Sequence, residues 1–176
     1  MAFGGQSEKH VIEIREEQPS DIDAVRELNR QAFDQEQEGR IVDAIRDAGV
    51  VTLALVAILD GAVVGHILFS PLTVGAEVGA ALGPMAVRPA YQRRGIGTQL
   101  VSQGLERLRE RECPFVVVIG HPEFYPRFGF GSAAAWGLTC EWEVPAEVFM
   151  VNILNAELAG RLQGRAQYRA EFSTIE

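Results

Sequence analysis

Residues 92–97 read QRRGIG, and they concentrate positive charge in a chain whose formal net charge is −8. Arg88, Arg93 and Arg94 crowd one short loop, and Gly95 and Gly97 open a segment with helical apolar spacing. The first N–H groups of a helix have no intrahelical acceptor and sit at the positive end of its dipole. Glycines there keep side chains away from the backbone. The chemistry this pattern offers is capture of a phosphate or pyrophosphate. The plainer alternative is a helix that merely begins with glycines, its arginines solvated. A nucleotide P-loop is excluded because Gly97-Thr98-Gln99 carries no lysine. A dinucleotide fingerprint is excluded because Leu100 stands where its third glycine belongs.

A second group of chemically capable residues follows a continuous apolar run. His121, Glu123 and Tyr125 lie within HPEFYPRFGF, residues 121–130. Their plain alternatives are a capping histidine, a first-turn acid favoured by the helix dipole, and an aromatic core cluster with Phe124, Phe128 and Phe130. His66 lies inside an apolar strand and reads as a structural histidine. His10, His66 and His121 lack ligand-like spacing, and Cys113 and Cys140 are isolated, so no metal is expected. No G-x-S-x-G occurs, which argues against serine-hydrolase chemistry.

The elements that must carry these residues follow from periodicity and punctuation. Residues 11–14 alternate as a first strand. Pro19-Ser20-Asp21 starts a helix with Ser20 as its cap, and Ile22, Val25, Leu28, Ala32 and Phe33 mark its inner face. A second helix turns Ile41, Val42, Ile45 and Ala48 inward and ends at Gly49. Residues 51–59 and 62–69 form a hairpin about Asp60-Gly61, closed by Pro71. Residues 79–87 form another strand, 95–112 the clearest helix and 115–119 a central strand covered on both faces. His121-Pro122 begins a short helical segment that Gly129-Phe130-Gly131 breaks. Residues 149–153 and 166–172 read as strands around a helical stretch at 156–162. This order is a mixed α/β layer fold, with residues 1–10 a loose tail and 11–176 one domain.

The totals limit the class of function. A chain of 176 residues buries enough surface for a full core without staples. An acidic surface argues against nucleic-acid binding, which needs a basic one. Two cysteines make no disulfide framework, and the N-terminus lacks the basic-then-apolar pattern of a signal peptide, so a cytoplasmic protein is expected. No apolar run approaches the roughly 20 residues that span a membrane.

Gln92-Arg93-Arg94-Gly95-Ile96-Gly97 matches the Q/R-x-x-G-x-G/A motif of the GNAT acetyltransferase superfamily. Met85-Ala86-Val87-x-Pro89 matches the strand before it, and Tyr125 to Phe130 has the form Y-x-x-x-G-F. The chain resembles that superfamily over nearly its whole length. VVGHILFSP at 63–71 and GHPEFYPRFGF at 120–130 are similar to its YhbS-like branch of N-acetyltransferases. The resemblance implies a central mixed β-sheet flanked by helices, acetyl-CoA as co-substrate and no metal. It implies that Met85, Ala86 and Val87 line the pantetheine arm, and that Arg93, Arg94, Gly95, Ile96, Gly97 and Thr98 cradle the pyrophosphate.

It further implies that Tyr125 protonates the departing thiolate. A phenol with an ordinary pKa of about 10 stays protonated at neutral pH and can donate. His121 and Glu123 are candidate bases for the amine, and a water chain is the family's other solution. The expected activity is acetyl transfer to a primary amine on a small molecule or peptide, by direct attack. Acceptor choice is expected from the region around residues 33–40 and from the C-terminal strands. A non-catalytic acyl-CoA-binding or sensor module would keep residues 85–98 and not need Tyr125. A longer acyl group is a third reading. A homodimer through the C-terminal strands is also implied by resemblance.

Overall fold

Two apolar faces and one bulge explain the architecture of this chain, seen in a computed structural model that describes residues 10–158 and 160–173. In order, the elements are β1 (Glu13–Glu16), α1 (Ile22–Phe33), α2 (Gln37–Asp47), β2 (Leu53–Leu59), β3 (Ala62–Val74) and β4 (Glu77–Val87). Then come α3 (Ile96–Glu110), β5 (Phe115–Ile119), β6 (Gly131–Ser132), β7 (Leu138–Thr139), β8 (Phe149–Ile153) and β9 (Gly164–Gln167). Among the described residues, nine strands form one mixed sheet in the order β1-β2-β3-β4-β5-β8-β6, with β9 joined to β3 and β7 to β9. β4 and β5 are parallel, and their neighbours on either side are antiparallel. The expected mixed sheet flanked by helices is what the chain forms. The tail reading for residues 1–10 falls, except for His10, outside the described residues.

Period-two alternation sends the strands' side chains to opposite faces. Leu55 and Ala57 of β2 pack with Ile96, Leu100, Leu105 and Leu108 of α3. Val56, between them, packs with Val25 and Leu28 of α1 and Val42 and Ile45 of α2. So α3 covers one face, and α1 and α2 the other. The distal half of the sheet buries Leu72, Phe115, Val117, Phe149 and Val151 with Leu158 and Leu162. α3 lies unusually close to the sheet at Gly104, where an added Cβ would come within 2.6 Å of the Phe69 ring.

Several sequence expectations shift. The first strand is displaced to Glu13–Glu16. Ser20 does not cap α1; it lies in a single 3-10 turn, and the Asp21 carboxylate accepts the Gln18 N–H (2.7 Å) while pairing with Arg15. Ala48 is exposed beyond the end of α2. β3 runs through Pro71 to Val74. It can do so because β2 leaves β3 at Leu53 opposite Phe69 and β9 joins only at Gln167 opposite Thr73, so Pro71 sits on an unpaired stretch of edge. The expected strand at 166–172 is instead Gly164–Gln167 followed by a 3-10 turn at Ala170–Phe172. The helical stretch at 156–162 shrinks to one 3-10 turn, Ala156–Leu158.

Candidate active site

The site begins where β4 and β5 part. Their parallel pairing covers only Ala80–Leu82 against Val116–Val118. At that point Leu68 of β3 faces both Gly83 and Pro84, a bulge between the pairs Phe69–Leu82 and Ile67–Met85. Pro84 has no N–H with which to continue a ladder. Beyond the bulge β4 follows β3 and leaves β5. The Arg88 N–H donates to the Val64 carbonyl (2.9 Å). By the alternation of an antiparallel ladder, Ala86 then bonds to β3, and the backbone groups of Met85 and Val87 face the opened side. Gln92 confirms the direction, since its Nε2 reaches the Val87 carbonyl at 3.1 Å.

The glycine–arginine loop closes one end of the opening. Arg93 (φ 62°) and Gly95 (φ 81°) are both left-handed, so the loop coils tightly before α3. The first bond of the helix runs from the Gln99 N–H to the Gly95 carbonyl (3.1 Å), leaving the amides of Ile96, Gly97 and Thr98 without an intrahelical acceptor. A Cβ on Gly97 would stand 3.6 Å from Met85 and 3.8 Å from Phe124, directly in the space between strand and helix. An open cleft of about 1030 Å³ runs here, lined by Met85, Val87, Arg93, Gly95, Ile96, Gly97 and Thr98 on one side and His121, Glu123, Tyr125 and Arg127 on the other. Two predicted residues stand apart from that lining. Ala86 turns its side chain into the core shared with α1 and α2, and Arg94 lies over the Tyr91 ring. Arg127, not singled out from the sequence, adds a cation to the cleft while lying over the Phe124 ring.

Tyr125 is held by packing. Its ring meets Phe124 and Phe130 edge-on at 5.0 and 5.6 Å, and only a glycine at 120 leaves it room, because a Cβ there would fall 2.3 Å from its Cε2. Burial pushes the phenol up to about 12, so it stays a neutral donor across the working pH range. His121 and Glu123 are exposed, and the His121 carbonyl accepts the Phe124 N–H (3.1 Å).

A second cavity, of about 370 Å³, lies behind the first and shares Met85, His121 and Tyr125 with it. Glu38, Trp142 and Tyr168 also line it. No motif marks these three; they come from widely separated segments. His66 takes no part in either cavity. It is wholly buried, with Nε2 2.7 Å from Glu17, which also pairs with Arg46 at 2.6 Å. Among the described residues no group of three or more His, Cys, Asp or Glu could hold a metal ion. Among them, too, no helix is long and apolar enough to cross a membrane.

A parallel pair splayed by a bulge, with a glycine-opened helix at its mouth, defines an acyltransferase architecture, and the chain belongs to the acetyltransferase (GNAT) family, whose model matches residues 11–130. Among its relatives is the uncharacterized N-acetyltransferase YhbS of Escherichia coli K12, 37% identical over 165 residues, covering 91% of this chain and 98% of that protein. The crystal structure of E. coli YhbS in complex with CoA superposes with a TM-score of 0.90 at 34% identity, covering 95% of this chain and 94% of that one. A GNAT acetyltransferase from Brucella melitensis in complex with acetyl-CoA matches with a TM-score of 0.79 at 37% identity, covering 93% and 99%.

Proposed function

We propose that this protein moves an acetyl group from acetyl-CoA to a primary amine by direct attack of the neutral amine on the thioester. The observation that carries this reading is the continuous cleft from the α3 N-terminus, along the open edge of β4, to the buried phenol of Tyr125. The amides of Ile96, Gly97 and Thr98, with Arg93, suit the pyrophosphate. The outward-facing backbone groups of Met85 and the Val87 N–H suit the pantetheine amides, and a backbone N–H there polarises the thioester carbonyl, an interaction worth about 10²–10³ in rate. Acetyl-CoA supplies the activated acyl group. Tyr125 gives its proton to the leaving sulfur, and burial keeps that proton in place until it is needed. His121 lines both cavities and relays the amine's proton to solvent, whereas Glu123 lines the cofactor side alone. A binding-only module would need the loop and nothing behind it; the second cavity meeting the first at Tyr125 favours the enzyme.

The test is calorimetric titration with acetyl-CoA, with NADH and ATP as controls. Selective acetyl-CoA binding is expected, lost in Gly97→Leu, whose side chain fills the space between Met85 and Phe124. Failure of the folded, ligand-free protein to bind acetyl-CoA refutes the reading.

A further inference from the structure

Resting on the acetyltransferase reading, we infer that the cavity behind Tyr125 is an acceptor subsite for a compact primary amine with an aromatic or apolar body and no carboxylate, its ammonium group taken by Glu38. Three independent features of the cavity carry this. The first is a buried carboxylate oxygen without a partner among the described residues. Glu38 Oε2 is buried and accepts no hydrogen bond. A carboxylate oxygen out of water and without a donor is unfavourable, and a ligand that brings the donor recovers the loss. Among the described residues no arginine or lysine lines the cavity, so the compensating cation is assigned to the ligand.

The second feature is the wall. Phe33, Trp142, Tyr168 and Phe172 line the same space. Trp142 and Tyr168 have ring centroids 4.7 Å apart, and Tyr168 and Phe172 meet edge-on at 5.4 Å. Such a stack offers flat apolar surface and electron-rich faces to a cation on an apolar body. It offers little to a polyhydroxylated acceptor, which would bring hydroxyls that these rings leave unpaired.

The third feature is a second orphan polar atom, the Tyr168 hydroxyl, which is also buried without a partner. Burial raises this phenol, with Cys140 and Glu141 nearby adding to the effect, so it stays neutral, and its oxygen can accept an N–H of the ligand's ammonium group. The cavity also carries the same sign of charge as the chain, and an acceptor carboxylate placed in it would face Glu38 with no arginine or lysine among the described lining residues to balance either. An arylalkylamine fits this set of groups and an amino acid does not.

The experiment follows CoA release at saturating acetyl-CoA with phenethylamine, phenylalanine, glucosamine, spermidine and a short peptide with a free N-terminus. The wild-type protein should use phenethylamine with a kcat/KM about tenfold or more above that for phenylalanine, and above those of the other three. Glu38→Gln should raise the KM for phenethylamine by about tenfold, the worth of a hydrogen bond to a charged group, with acetyl-CoA affinity within about twofold of wild type. Trp142→Ala should raise that KM as well. Equal use of phenylalanine, preference for the sugar, polyamine or peptide, or an unchanged KM in Glu38→Gln overturns the inference. The wild-type comparison decides without any variant. Acetyl-CoA binding with no turnover of phenethylamine overturns the acceptor subsite alone; absence of acetyl-CoA binding overturns the acetyltransferase reading with it.

Discussion

Tyr125→Phe removes one oxygen and leaves a ring of the same shape. The ring's contacts with Phe124 and Phe130, at 5.0 and 5.6 Å, persist, as does its seat on Gly120. Stability should therefore hold or rise slightly, since no hydrogen bond of that hydroxyl occurs among the described residues. Turnover should not hold. A positioned general acid contributes about 10²–10⁴ in rate. At 1.36 kcal/mol per decade, the variant loses about 2.7–5.4 kcal/mol of transition-state stabilisation. Acetyl-CoA affinity should stay within about twofold, since packing rather than binding places the ring.

Gly120→Ala is the complementary variant. Its Cβ falls 2.3 Å from Tyr125 Cε2, so the phenol keeps its proton and loses its position. It should lower kcat comparably, and it should also lower the melting temperature, which Tyr125→Phe should not. The assay pairs CoA release with thermal melting and acetyl-CoA titration on all three proteins. A Tyr125→Phe enzyme with kcat within about threefold of wild type would refute the proton-donor role. Parallel loss of kcat and acetyl-CoA affinity would make Tyr125 a binding residue instead.

Three further outcomes follow from the same structure. With the phenol pushed up to about 12, the rate–pH profile should rise as the amine loses its proton and show no descending limb below about pH 10; a falling limb near pH 8–9 would point to a different acid. Gly104→Ala gains helix propensity worth about 1 kcal/mol but drives a methyl to 2.6 Å from Phe69, so urea denaturation should show net destabilisation of about 1–2 kcal/mol; a more stable variant would mean that the ring moves freely. Burial would raise the Glu17 carboxyl, but hydrogen bonds from His66 and Arg46 outweigh it and hold the group below its ordinary value. A folded pKa below the unfolded value of about 4.3 gives stability that is complete above that pH and is lost as pH falls through the folded value. Glu17→Gln should flatten that acid limb and cost about 2 kcal/mol at pH 7, read from urea midpoints between pH 3 and 7; an unaltered acid limb would refute the assignment.

The legible parts of this chain are those whose physics is local. α3 announces itself through the spacing of Ile96, Leu100, Val101, Leu105 and Leu108, all buried in the fold, and β5 through an unbroken β-branched run. The anion loop is legible because its chemistry lies in six consecutive residues. The parting of β4 from β5 is not, since it depends on Leu68 facing Gly83 and Pro84 across a strand pair, a register no single segment encodes. Pro71 misleads because its tolerance depends on where β2 stops and β9 starts. The sequence points to residues 33–40 and the C-terminal strands for acceptor choice but carries no motif at Glu38, Trp142 or Tyr168, for the same reason. They become a site only when the α1–α2 region, the stretch before β8 and the stretch after β9 meet beside Tyr125.

The cavity at the mouth of α3 and the one beside Glu38 at the start of α2 share Met85, His121 and Tyr125, where β4 and β5 part. With acetyl-CoA in the first and the proposed amine in the second, neither has to leave before the other enters. Steady-state velocities should therefore give intersecting rather than parallel double-reciprocal lines. CoA should compete with acetyl-CoA and not with the amine, so the acetylated product and CoA can depart in either order.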